Sequence, residues 1–417
     1  MILSSQTLGR RLFYTLGTIL PLLIATEANA QTKGATLSLQ ECVQLGLMYQ
    51  PALTAAQASL DAAQTSYQSL QNLRLAGLIS RDLPIRRQQA CLGIQIAEAF
   101  LLQAEWETRY AVTRNYFSMI HARNQQAVAD SVLVKLRQNR ENAIRIVNAG
   151  DPKSPVTQID VWNLDVQIKF LEARKAEATV GIERARSALR EAMGVDKDFP
   201  LAPTPGARLP DPLHGLDREQ LIALGLERRG EMTQASSAFQ LTDLEISAQR
   251  TSRKVKVQTF TAAGDPHANP IPQGVANGEY RPGAIGLEFP PYLVGKRPDR
   301  IQRAEAFNDR AGAVITKTQN LITLEVDAAF QKWQEAILRL NSLESSSTLS
   351  KKVADNVTKR FNDKKATGEE LIRARTLEDQ AQSYYNEALY SHALALAALE
   401  RVTAGGYRPS YAAKRQP

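Results

Sequence analysis

A stretch near the N-terminus returns halfway along the chain. Leu37-Ser38-Leu39-Gln40-Glu41-Cys42-Val43-Gln44-Leu45-Gly46-Leu47 is echoed by Leu216-Asp217-Arg218-Glu219-Gln220-Leu221-Ile222-Ala223-Leu224-Gly225-Leu226. Each copy sets a Ser or Asp ahead of an apolar helical pattern, as at a helix N-cap, and closes on the same Leu-Gly-Leu. A second echo lies further on: Ile159-Asp160-Val161-Trp162-Asn163 faces Glu369-Glu370-Leu371-Ile372-Arg373, and Ala188-Leu189 faces Ala398-Leu399. A duplication this long restricts the chain to two similar structural halves. Function then belongs to a pseudo-symmetric scaffold, and a single grafted catalytic site is disfavoured.

The 417 residues suffice for two or three domain-sized units. Aromatics make up only 6%, while Ala, Leu, Gln, Glu, Arg and Lys fill the long middle segments, which is the composition of packed long helices. Lys and Arg exceed Asp and Glu by 51 to 43, a net charge of +8 spread along the chain. Basic clusters are not interleaved with aromatics for stacking on bases, so nucleic acid is not an expected partner.

Residues 1–30 read as an export signal. Arg10-Arg11 supplies the positive start, Leu12 to Ala25 the apolar core, and Ala28-Asn29-Ala30 the small-x-small cleavage site. The apolar run is too short for a convincing membrane span. Two cysteines remain, Cys42 and Cys91, both in helical patterns and both expected to be small buried thiols. His121, His214, His267 and His392 lack metal-site spacing, and no nucleophile or carboxylate sits in a catalytic signature. We therefore expect no enzyme, no cofactor and no metal centre.

Helical periodicity runs from Leu39 to about Leu73, interrupted only by Pro51, which suits the first turn of a second helix. From about Arg86 to Val147 there is no proline, enough for a helix on the order of 90 Å long. Gly150 to Pro155 makes a turn. A heptad stripe follows, through Leu164, Ile168, Leu171, Lys175, Ala178, Ile182, Ala185 and Leu189, the seam of a coiled coil. Prolines at 200, 203, 205, 210 and 212 mark residues 196–215 as a linker. The plan then repeats: a helix from about Leu216 to Arg250, a long one from about Arg300 to Lys364, a turn at Lys365–Gly368, and a final helix to about Thr403. Its expected seam is Leu377, Ala381, Tyr384, Ala388, Ser391, Ala395, Ala398 and Val402. Trp106, Trp162 and Trp333 read as packing anchors.

The strand-like segments are Val255–Thr261 and Ala284–Phe289, which alternate as a β-hairpin should. The first half has no counterpart. Gln64 to Phe117 is much shorter than the matching Asp243 to Phe330, leaving only Arg74 to Gln88 as a connection. The expected organisation is a signal (1–30), a first repeat (31–195), a proline-rich linker (196–215), a second repeat (216–404) with a hairpin at about 255–290, and a disordered tail (405–417). The fold class is mainly α, two pseudo-repeated long antiparallel coiled-coil hairpins with one small β-hairpin.

These features together resemble the TolC-like outer-membrane efflux proteins over nearly all of the mature chain. The resemblance rests on the duplicated helix start and on the endings Ala188-Leu189-Arg190-Glu191-Ala192-Met193-Gly194 and Ala398-Leu399-Glu400-Arg401-Val402-Thr403-Ala404-Gly405. It rests also on Leu287-Glu288-Phe289-Pro290 followed by Gly295-Lys296-Arg297. The order and duplication of these pieces carry it, because no single motif is specific.

The resemblance implies a homotrimer in the outer membrane, with four strands per protomer in a twelve-stranded barrel and a periplasmic helical tunnel. A periplasmic adaptor and an inner-membrane pump would be its partners, in efflux or type I secretion. It places the adaptor-contacting tips at Arg145 and Gly150 in the first hairpin and at Arg360 and Gly368 in the second. It also makes Asp160 and Glu370 candidates for an acidic ring gating the periplasmic mouth, where converging carboxylates act on passing cations. Local physics offers a plainer role for both, as acids in the first turn of a helix favoured by its dipole. The missing first hairpin keeps a second function open: a periplasmic structural or adaptor-binding protein descended from such ducts, without a pore.

Overall fold

The structure, a computed structural model, describes residues 36–73, 80–150, 154–252, 293, 295–409 and 411. The expected export signal, the strand pair expected at 255–261 and 284–289, and the tail beyond Tyr411 lie outside these. The first half contains α1 (Leu39–Tyr49), α2 (Pro51–Asn72), α3 (Leu83–Asn148) and α4 (Gln158–Met193). The second contains α5 (Arg218–Arg228), α6 (Gly230–Thr251), α7 (Arg297–Asn362) and α8 (Gly368–Val402). The halves match helix by helix. α1 and α5 have 11 residues each, α2 and α6 have 22, α3 and α7 have 66, and α4 and α8 have 36 and 35. At 1.5 Å per residue, α3 and α7 each run about 100 Å.

The duplicated Leu-Gly-Leu has a packing cause. A Cβ on Gly46 would lie 2.9 Å from Val112 Cγ2 and 3.5 Å from the Ala192 carbonyl oxygen. One on Gly225 would lie 2.9 Å from Val326 Cγ2 and 3.2 Å from the Val402 carbonyl oxygen. Each glycine lets a short helix press into the crotch between a long helix and its returning partner. Helix starts are capped as the sequence foretold. The Ser38 amide donates to Glu41 at 2.7 Å, and Asp217 accepts from the amides of Glu219 and Gln220 at 2.8 and 3.1 Å.

The helix expected over 216–250 is broken at Arg229, a correction to the reading from sequence. Pro51 marks the equivalent break between α1 and α2, but no proline marks this one. Arg229 leaves the helix with φ −71° and ψ 134°, and its buried guanidinium pairs with Glu231 and Glu325. Gly230 opens α6 directly after the break, and a Cβ there would press on the Ala99 carbonyl of α3, so a glycine and a buried ion cluster meet at the bend.

Below the level of α1 and α5, the helices lie side by side in the order α4, α3, α8, α7. α3 packs on both α4 and α8, and α8 on α7. Towards the other end, α2 and α6 take the places of α4 and α8 beside α3 and α7. Two apolar clusters sit at the junction. One gathers Cys42, Phe117, Ile120, Leu189 and Met193, the other Leu221, Ile322, Trp333, Leu396 and Val402. The linker is strapped to the first of them. Leu201 and Leu209 are buried in it, and Ala202–Pro203 (β2) pairs in parallel with Thr36–Leu37 (β1). The tail expected to be disordered from Gly405 is ordered through Tyr407 to Pro409 and at Tyr411, whose ring meets Phe117 edge-on at 5.3 Å.

Two further expectations are corrected. Cys91 is exposed; only Cys42 is buried, and burial pushes its thiol up to about 12. Trp162 is no packing anchor within the chain: it is 60% exposed, whereas Trp333 is buried with its ring nitrogen donating to the Leu213 carbonyl at 3.1 Å. Among the described residues, no helix is long and apolar enough to cross a membrane.

Candidate functional site

The two hairpin turns lie together at one end. Val156 and Val161 from the first and Phe361, Ala366 and Leu371 from the second share one apolar cluster with Leu133, Leu136 and Ala143 of α3. Asn142 donates to Asn362 Oδ1 at 3.1 Å across the pair.

α3 ends on Gly150 in the left-handed conformation, φ 66°. The residue doing the same for α7 is Lys364, φ 58°, with its amide donating to the Phe361 carbonyl at 3.0 Å and that of Lys365 to the Arg360 carbonyl at 2.7 Å. Gly368 is thus not the structural counterpart of Gly150. It opens α8 and is buried against the first tip, where a Cβ would lie 2.5 Å from Asp160 Cγ. Arg145 and Arg360 are both exposed one turn before their turns. Arg145 donates to the Asn142 side chain and Arg360 to the Lys365 carbonyl at 3.1 Å.

Asp160 and Glu370 occupy the same position in capping boxes. The Asp160 carboxylate takes the Thr157 amide at 2.8 Å and hydroxyl at 2.9 Å. Glu370 takes the Thr367 amide at 3.2 Å, while its own amide donates to Thr367 Oγ1 at 3.2 Å. Their surroundings differ. Asp160 is only 8% exposed, wedged against Gly368; Glu370 faces solvent. Within one chain the structure engages one carboxylate in the tip-to-tip contact and leaves the other open.

One feature of this end escaped the sequence reading. Inside the four-helix layer lies a polar stratum with Arg375, Glu378 and Asp379 of α8 buried. Arg375 donates to Glu378 at 2.6 Å and to Thr358 Oγ1 at 2.7 Å, and lies 3.5 Å from Asp355. Lys135 of α3 reaches Glu378 at 2.6 Å, and Arg174 of α4 pairs with Asp379. All four helices contribute. Burial raises the Asp379 carboxyl above its usual range, against the pull of Arg174. The signal in the sequence was the charged spacing 375, 378, 379, which puts three ionisable groups on one helical face.

A second buried cluster stands at the junction. Burial would lower the Arg229 guanidinium, but Glu231 and Glu325 together raise it; burial raises Glu325 despite Arg229 and Arg401. Arg401 reaches across to Glu107 at 2.7 Å. Nearby, His392 is fully buried, its Nε2 accepting the Leu213 amide at 3.2 Å, and burial lowers its imidazole to about 4. Among the described residues no group of His, Cys, Asp and Glu could hold a metal ion.

No protein-family model and no curated protein matches the sequence. Solved structures do. The outer-membrane channel OprN superposes with a TM-score of 0.69 at 19% identity, over 89% of this chain and 91% of its own. The outer-membrane protein VceC of Vibrio cholerae gives 0.67 at 16%, over 89% and 97%. The outer-membrane channel CmeC of Campylobacter jejuni gives 0.65 at 13%, over 92% and 91%. At such identities the likeness is one of fold, and the chain has the fold of the TolC-like channels.

Proposed function

We propose that three copies of this chain close into a periplasmic helical duct, the outer-envelope component of an efflux or type I secretion assembly, with no catalysis of its own. The observation that carries this is a pair of unpartnered apolar stripes on the two edges of the helical layer. Along α4 run Ile159, Trp162, Val166, Phe170 and Val180; along α7 run Leu338, Leu349 and Val353, all exposed. Both stripes are measured from the same end, because the tips meet there. Val166 lies about 12 Å from the start of α4 and Val353 about 14 Å from the end of α7. Phe170 and Leu349 stand at about 18 and 20 Å, and Val180 and Leu338 at about 33 and 36 Å. One edge therefore meets the other at matched heights, a head-to-tail contact that generates a ring. Cysteines at Val166 and Val353 should cross-link between copies and give a covalent trimer ladder; monomer alone would refute the ring. A strain from which the chain is deleted should lose efflux-dependent drug resistance.

In this reading the hairpin tips, with Arg145, Gly150, Arg360 and Gly368, meet a periplasmic adaptor joined to an inner-membrane pump. Asp160 and Glu370 are the candidate acids at the mouth, Glu370 being the one open to a passing cation. The second function, a periplasmic member of the fold without a pore, draws support from one length. α2 ends at Asn72 and α3 begins at Leu83, so only 73–82 connect them. Two membrane-spanning strands need about 9–11 residues each, which this connection cannot hold. The connection 252–296 can. Envelope fractionation with a heat-modifiability assay separates the two: a heat-sensitive trimer in the outer-membrane fraction supports the duct, and a soluble periplasmic trimer the alternative.

A further inference from the structure

Arginines lace together the helix ends opposite the tips. Arg86 of α3 pairs with Glu245 of α6, whose carboxylate also takes the Gln249 amide at 2.5 Å; Gln249 in turn accepts from Arg300 of α7 at 2.8 Å. Arg87 donates to the carbonyls of Leu70, Gln71 and Leu73, where α2 ends, at 3.0, 3.4 and 3.4 Å. Arg297 donates to the Arg250 carbonyl and Arg300 to that of Ser252 at 3.1 Å, where α6 ends. Guanidinium groups therefore cover the negative poles of α2 and α6. The positive poles of α3 and α7 stand beside them with no side-chain cap. α7 even takes Lys296 as its N-cap, a charge of the sign that its dipole disfavours.

The charge balance follows this geometry. Residues 81–87, 245–252 and 296–305, which with the last turn of α2 form this end, hold eight Lys and Arg against four Asp and Glu. That excess is half of the whole chain's net charge of +8. The tips carry no such excess: residues 141–150, 154–165 and 357–373 hold six of each sign. Three of the four acids are already paired, Asp82 and Glu245 with Arg86 and Glu305 with Arg250, and the fourth, Asp299, sits in the first turn of α7. Arg81, Lys296 and Arg303 are exposed. Because α3 and α7 have equal lengths from the tips, they begin at one height. Arg81 to Arg87 and Lys296 to Arg303 then lie within about 10 Å of the end, roughly one Debye length at about 0.15 M salt. A flat anionic surface closing this end feels every one of them. The connections 73–82 and 252–296 also leave from here, so this is the end that a membrane would face.

We infer that this end is a basic collar that rests on a bilayer face and selects anionic phospholipid headgroups there. This deepens the envelope reading above and rests on it, by giving the lipid chemistry met at the end away from the tips. Arginine suits the task because its planar fork matches phosphate oxygens. The attraction needs no strand in the membrane, acts within about a Debye length, and weakens with salt. It holds the chain to the bilayer in either of the two functions proposed above.

The test uses the full chain with Arg81→Glu and Lys296→Glu combined. Both positions stand at helix starts, where a carboxylate is favoured by the dipole, so the variant should fold as well as wild type. A control reverses Lys197 and Lys332, exposed cations far from this end. The probe is vesicles of phosphatidylcholine with or without about 30% phosphatidylglycerol, and the readout is flotation at about 0.1 and 0.5 M salt. Wild type and control should bind the anionic vesicles at least tenfold better than the neutral ones and be released by the higher salt. Each basic residue near such a surface is worth about fivefold, so the double variant should bind at least tenfold more weakly. Equal binding to neutral vesicles, a double variant that binds as wild type, or a control that loses as much would overturn the collar. So would equally tight binding of wild type to duplex DNA that the same two changes abolish. The Val166–Val353 cross-link keeps the two readings apart. A covalent trimer without lipid preference overturns this inference alone, whereas lipid preference without a trimer strikes the duct and leaves the collar standing.

Discussion

Replacing Gly368 by Ala tests whether the two tips are locked as the structure shows. In a helix interior that change ordinarily stabilises by about 0.5–1 kcal/mol, since Ala loses less backbone entropy. Here the new methyl would arrive 2.5 Å from Asp160 Cγ, and it would crowd Asp160 Cβ as well. The carboxylate can swing aside at the expense of its bonds to Thr157, a cap worth about 1 kcal/mol, but Asp160 Cβ cannot move without the backbone. Overpacking of this kind costs about 1–3 kcal/mol, which outweighs the helical gain. We expect Gly368→Ala to be destabilised by about 1–3 kcal/mol in urea unfolding. Gly93→Ala, in open space on α3, should gain about 0.5–1 kcal/mol. Moving the methyl's room to the other tip, with Asp160→Gly and Gly368→Ala combined, should recover about 1–2 kcal/mol relative to additivity. A Gly368→Ala protein as stable as Gly93→Ala, or a strictly additive double variant, would refute the tip-to-tip contact.

Arg375→Ala leaves Glu378 with Lys135 as its remaining cation and removes the bond to Thr358, and should cost about 1–3 kcal/mol in urea unfolding, whereas Arg373→Ala on the exposed side of the same helix should stay within about 0.5 kcal/mol. Lys364→Gly should raise the unfolding midpoint by about 0.5–1 kcal/mol, because relief of the left-handed strain exceeds the added chain entropy; loss of stability would show that the Lys364 side chain holds the turn. His392 has a folded-state value of about 4 against 6.5 when unfolded, so the unfolded chain binds the extra proton first. Stability should therefore be full above pH 6.5 and decline as pH falls towards 4, and His392→Gln, whose amide oxygen can take the Leu213 amide, should flatten that decline in pH-dependent urea titrations.

Helix ends were legible wherever a local residue enforces them. Pro51, Gly150, Gly194 and the Ser38, Asp217, Thr157 and Thr367 caps act within a turn of the boundary. The break at Arg229 was missed: its one local mark is Gly230, whose close approach to the Ala99 carbonyl of α3 is a contact distant in sequence. The seam of α4 was read correctly from Leu164 to Leu189, and its one polar member, Lys175, is matched by Asp130. The seam of α8 was read correctly at Ala381, Ala388, Ala395 and Val402, all buried, but misread at Leu377 and Tyr384, which are exposed, while Arg375, Glu378 and Asp379 are buried. Apolar periodicity finds the buried face only when the core is apolar. Where a fold buries paired charges, the apolar residues left on the outer face produce the stronger pattern. The pairing of β1 with β2 left no trace, since two-residue strands have no alternation to read. At the second tip the left-handed residue is Lys364, not a glycine, and no residue type in the sequence announces it.

The two ends of the molecule can be judged separately. Helix lengths agree between the halves throughout, so the shortened connection at 73–82 has not shifted any helix against its counterpart. The tips, about 100 Å away along α3 and α7, keep the register that the tip clusters require. The polar stratum and the Asp160–Gly368 contact lie at the tips, and the glycine crossings at Gly46 and Gly225 lie at the junction; none depends on what 253–292 do. The cross-linking experiment therefore tests the tip end directly, and fractionation is needed only to decide what the other end does.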